Sequence, residues 1–159
     1  MMRRLTVTIT REPGAIPRGA MTNPELVYET VRDLAAAPQE HFEVLHLDVK
    51  HRLLARQTTA IGTLDRALIH PRDVFTGAML NGSASIVLVH NHPSGDPEPS
   101  SEDTELTRRL LEGAKLLGVS ILDHVIVGVD GFVSLERRGL MGWPAAASAM
   151  AAEPGGSKR

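Results

Sequence analysis

The sequence predicts an α/β (α+β) protein in which helices flank one mixed central β-sheet, and three observations carry that expectation. Apolar residues alternate with period two in several short runs, helix start and stop signals separate those runs, and one run, "SASIVLVH", is apolar on both faces. A chain of 159 residues with 42% hydrophobic content suits one domain with a sizeable core.

Taken in order, "MMRRLTVTITREPG" alternates Leu5, Val7 and Ile9 as a strand does, in place of the continuous apolar core of a signal peptide. "REPGAIPRGAMT" is a Pro/Gly-rich connector, and "NPELVYETVRDLAAA" reads as a helix with Asn23 as N-cap and Pro24 in its first turn. "EHFEVLHLDVKHRLLARQTTAIG" reads as a hairpin joined at "DVKHR", with Phe42 and Val44 on one face and Leu45 and Leu47 on the other. "HPRDVFTGAMLNG" predicts a second helix, opened by Pro71 and closed by Asn81-Gly82. "SASIVLVH" follows as a strand ending at His90, with Ile86 and Leu88 facing one way and Val87 and Val89 the other, so it belongs in the middle of a covered sheet. A third helix spans about Ser101 to Leu117, and "VSILDHVIVG", an Asp130-Gly131 turn and "FVSL" form a closing hairpin. From Gly142 the Ala-, Pro- and Gly-rich "GWPAAASAMAAEPGGSKR" reads as a mobile tail. The expected organisation is an N-terminal strand, connector and helix over 1–37, a core domain over 38–141 and a disordered tail over 142–159.

No apolar run approaches the roughly 18 residues of a membrane span, which predicts a cytoplasmic protein with no membrane partner. The net charge of -2 and the scattered arginines give no support to a nucleic-acid partner. With no cysteine in the chain, a transition-metal site has to be built from histidine and carboxylate.

Such a site is suggested by "LVHNHPSGDPEPSSED". On a strand, positions i and i+2 point the same way, so His90 and His92 present two imidazoles to one side if the extended backbone persists through Asn91. The loop from Pro93 to Pro99, stiffened by three prolines, leads to Ser100, an N-cap with Asp103 in the S-x-x-D variant of the capping box. Asp103 shares a helix face with Leu106 and Leu110 and so points inward, where a carboxylate needs a partner such as a divalent ion held by the imidazoles. Three protein ligands leave an open fourth position, the mark of a catalytic metal site. Each part also has a plainer explanation: histidines in a turn, a capped helix, a rigid loop. His41, His46, His51 and His70 show no metal spacing. His124, inside an apolar strand, reads as a hydrogen-bonded core histidine ahead of a supporting role beside a ligand, and Ser94 and Asp96 read as turn-stabilising ahead of ligand-orienting.

Through His90, His92, Ser100 and Asp103 the chain resembles the JAB/MPN family, whose JAMM motif is H-x-H-x7-S-x-x-D with a glutamate upstream. "HNHPSGDPEPSSED", "GTLDRALIHPRDVF" and "ILDHVIVG" bring it closer to the RadC-like branch, over about residues 38 to 140. The resemblance implies a cytidine-deaminase-like architecture and a zinc-dependent hydrolase of peptide or isopeptide bonds. Carried over by motif, His90, His92 and Asp103 bind Zn2+, Ser100 helps stabilise the oxyanion, and an upstream glutamate is the general base. Glu40 is the choice for that base and Glu43 the fallback. Zinc in preference to iron or manganese rests on this resemblance. Longer RadC-like proteins carry a helix-hairpin-helix, a DNA-binding module, for which the roughly forty residues before this core leave too little room. The rival expectations are a catalytically silent binding or scaffold module and a DNA-repair-associated protein. An HNH nuclease is set aside, because its three motif residues lie far apart on a ββα-metal unit. Substrate identity and oligomeric state are not legible.

Overall fold

Two-sided burial of the middle strands organises the chain into three layers. A computed structural model describes residues 19–62 and 69–142. Among the described residues there are five strands, β1 (His41–Leu47), β2 (Leu53–Ile61), β3 (Ser85–Asn91), β4 (Ser120–Gly128) and β5 (Gly131–Ser134), in the order β2-β1-β3-β4-β5. Among these strands β3 and β4 pair in parallel, joined by the crossover helix α3 (Ser101–Leu117), and the other pairs are antiparallel, so the sheet is mixed as expected.

Strand parity sorts the core as the sequence implied. Phe42, Val44, Ile86 and Leu88 pack under α2 (Pro71–Asn81) and α3, against Val74, Phe75, Leu106 and Leu110. Leu45, Leu47, Val87 and Val89 point to the other face, where Val125 and Val127 join them under Met21, Val27, Val31 and Leu34. All seven residues of β3 are buried, which is why its middle, Ile86 to Val89, is apolar on both faces. Residues 21–34, expected to precede the core domain, thus supply one of its covering layers.

The helix ends follow from local chemistry. In α2, Pro71 stands in the first turn and Gly82 closes the helix in the left-handed conformation at φ 62. In α3, Ser100 and Asp103 form the reciprocal capping box, and Gly118 closes the helix at φ 69. The first helix departs from expectation. It runs as α1 (Pro24–Thr30), capped by Asn23, and continues only as a 3₁₀ turn over Arg32–Ala36. Thr30 Oγ1 bonds back to the Leu26 carbonyl at 2.7 Å, and the β-branched pair Thr30-Val31 sits at the break. The closing hairpin also differs in detail: Gly128 pairs with Gly131, so Val129-Asp130 makes the turn.

The expected N-terminal strand, most of the tail including Trp143, and part of "GTLDRALIHPRDVF" lie outside the described residues. Among the described residues, no helix is long and apolar enough to cross a membrane.

Candidate metal centre

The centre forms where β3 leaves the sheet. His92 N–H still bonds to the Val127 carbonyl at 3.0 Å, so the extended backbone persists past Asn91 and both imidazoles emerge on the α3 side. Their Nε2 atoms lie 2.9 Å apart, with His90 buried and His92 half-buried. The first turn of α3 brings Asp103 Oδ1 to 3.4 Å from His90 Nε2 and Oδ2 to 3.5 Å from His92 Nε2. Donors about 2.0–2.1 Å from a tetrahedral zinc stand about 3.3 Å from one another, so this spacing fits an ion held between the three.

The protonation pattern also fits. His92 Nδ1 lies 2.8 Å from the Asp96 backbone carbonyl, which can only accept, so the ring proton is on Nδ1 and the Nε2 lone pair faces His90 and Asp103. Burial pushes the Asp103 carboxyl up, but the facing imidazoles of His90 and His92 and the hydrogen bond from Ser100 outweigh it and hold the group well below its ordinary value. The Asp103 contact in turn raises His92.

The loop between His92 and Asp103 is pinned to the sheet. Gly95 takes φ 88, its N–H bonds to the His92 carbonyl at 2.9 Å, and its own carbonyl accepts from Val129 N–H at 3.2 Å. That carbonyl lies so close to β4 that a Cβ on Gly128 would stand 2.1 Å from it. Glu98 holds the far end through paired 2.6 Å bonds from Arg138. Ser94 Oγ and Asp96 Oδ1 each accept a backbone N–H of the loop, the turn-stabilising role expected of them.

Glu40 precedes β1, and its carboxylate joins His90 and His92 in a group whose donor atoms lie within 4.8 Å of one another. Asn91, buried on the opposite face, fixes the backbone on both sides of Glu40: His41 N–H donates to Asn91 Oδ1 at 2.7 Å, and Asn91 Nδ2 to the Gln39 carbonyl at 3.0 Å. Glu43, the fallback, faces away. Its buried carboxylate is engaged by Arg56, which also grips Asp33 through 2.7 and 2.9 Å bonds, and by Thr58.

Ser100 Oγ donates to Asp103 Oδ2 at 2.7 Å, so the hydroxyl steadies the carboxylate in this arrangement. His124 is a hydrogen-bonded core histidine, and it is also a neighbour of the site: its Nε2 lies 2.8 Å from His90 Nδ1. Sequence reading set that second role behind the first, and it passed over Asn91 as the middle letter of H-N-H. Parity alone places Asn91 opposite the histidines, but its partners in residues 39–41 become visible only once β1 pairs with β3.

Donor set, loop and crossover helix together narrow the comparison, and a family model for the RadC-like JAB domain matches residues 21–140. The chain belongs to the RadC-like JAB domain family. Its relatives include the UPF0758 protein of Syntrophomonas wolfei, 50% identical over 129 residues, which make up 78% of this chain and 55% of that protein. The UPF0758 protein of Methanococcoides burtonii is 42% identical over 139 residues, 87% of this chain and 59% of its own length. That of Methanosarcina mazei is 43% identical over 126 residues, 79% and 55% respectively. The chain therefore spans a little over half the length of these curated relatives.

Proposed function

We propose that this RadC-like JAB domain is a zinc-dependent hydrolase of peptide or isopeptide bonds, working in the cytoplasm. The observation that carries the reading is the convergence of His90, His92 and Asp103 at 2.9 to 3.5 Å, with the Glu40 carboxylate beside the two histidines. His90, His92 and Asp103 are the residues that would hold zinc, which supplies Lewis acidity to acidify a water and polarise a carbonyl oxygen. Glu40 takes the proton of the attacking water and returns it to the leaving amine. The Ser100 hydroxyl turns from Asp103 toward the oxygen of the substrate carbonyl as negative charge develops there. Asp103 and Glu40 divide the work of the two carboxylates: one is committed to the ligand set by Ser100 and the histidines, while the other is held by its backbone and leaves its carboxylate available.

The test is turnover of a peptide and isopeptide library by the zinc-loaded chain, beside Glu40→Gln. The expected result is cleavage that falls about 10²-fold or more in Glu40→Gln with zinc content unchanged. Equal turnover in the variant would remove Glu40 from the chemistry, and no turnover in any library would favour the binding-module reading.

A further inference from the structure

We infer that Thr107, one turn after Asp103 on α3, and His124 on β4 are positioning residues that fix the tautomer of His90. The consequence for metal binding rests on the function proposed above; the hydrogen-bond geometry does not.

The two short contacts of the Thr107 hydroxyl give the chain of hydrogen bonds its direction. The Asp103 backbone carbonyl can only accept, so the Thr107 hydroxyl, 2.6 Å away, donates to it. Having given that proton, Thr107 Oγ1 accepts from His124 Nδ1, also at 2.6 Å. His124 is fully buried, meets the Phe42 ring edge-on at 5.7 Å between centroids, and has a hydroxyl and another imidazole at its two nitrogens in place of a carboxylate. A ring in that setting is neutral and carries its proton on Nδ1. His124 Nε2 is then an acceptor, His90 Nδ1 is the donor to it, and the His90 Nε2 lone pair is left facing His92 and Asp103.

Asp103 thus acts on the centre twice. Its carboxylate closes the ligand set, and its carbonyl, four residues before Thr107 on α3, anchors the relay that prepares His90. His92 is prepared separately, by the Asp96 carbonyl. The two histidines therefore present matching nitrogens for unrelated reasons, one set by a loop and the other by the helix.

The test uses the full chain labelled with nitrogen-15. Histidine ring tautomers are read by NMR in metal-free protein, and zinc affinity is measured by chelator competition, for the wild type, Thr107→Val and Thr107→Ser. The wild type is expected to carry the His90 proton on Nδ1. Thr107→Val is expected to give mixed tautomers at His124 and His90 and about 10-fold or more weaker zinc binding, with Thr107→Ser restoring both. A His90 proton found on Nε2 in the wild type, or a Thr107→Val chain with unchanged tautomers and affinity, overturns the relay. If Thr107→Val does not fold, the wild-type tautomer still decides the polarity. A wild type that shows the expected tautomer but binds no zinc leaves the relay standing and sinks the metal reading instead.

Discussion

Glu40 and Glu43 lie three residues apart at one end of β1, and opposite sheet faces give them different chemistry. Glu40 meets the two histidines, while Glu43 is enclosed by Arg56 and Thr58. Glu43→Gln should therefore leave zinc content and turnover intact and lower unfolding stability by about 1–3 kcal/mol, because Arg56 loses a partly desolvated partner. Denaturant unfolding beside a zinc assay separates this from Glu40→Gln; lost turnover in a folded Glu43→Gln chain would reverse the assignment. The convergence of His90, His92 and Asp103 on one side was legible because strand and helix parity are local rules. The core role of His124 was legible too, but its contact with His90 was ranked second because that contact depends on the parallel β3/β4 register, which shifts between Ile86 and Val87. No local pattern encodes such a shift.

At the scale of elements, the hairpin β4–β5 and the ligand loop behave as one unit. Gly128 has no room for a side chain beside the Gly95 carbonyl, and Val129 donates to that same carbonyl. Gly128→Ala is expected to push the loop off β4, costing about 1–3 kcal/mol of stability and weakening zinc binding through the displaced Asp96 carbonyl and His92. Thermal unfolding and chelator competition measure the two effects; destabilisation with unchanged zinc affinity would show that the loop holds its ligand without the sheet. Pro71, Asn81-Gly82 and the Ser100 cap made α2 and the start of α3 legible, since caps are read within a turn. The first helix was overextended because nothing in a periodic apolar pattern signals the back-bonded Thr30 where the α-helix ends.

Across the whole molecule, β1 and β3 carry two faces of core and also one end of the candidate metal centre, so stability and site share the same strands. Parity made the two core faces legible, but which helices cover which face depends on long-range packing. One buried group on β1 ties this core to pH. Burial holds His46 below its ordinary 6.5, against a hydrogen bond with Gln57 that raises it. The unfolded chain takes up the proton first as pH falls, so the contribution is full above 6.5 and is lost between 6.5 and the depressed folded value. Urea midpoints of metal-free protein should drop over that window, and His46→Gln should flatten the slope; parallel slopes would show that His46 titrates alike folded and unfolded.

The convergence of sheet and helix on one cation is tested most directly by equilibrium dialysis of the full chain against zinc, wild type beside Asp103→Ala, with thermal unfolding confirming that both are folded. Stoichiometric zinc in the wild type and its near-complete loss in Asp103→Ala is the predicted result. Equal zinc in the two folded chains would contradict it, because an ion that does not need Asp103 is not held between His90, His92 and the first turn of α3.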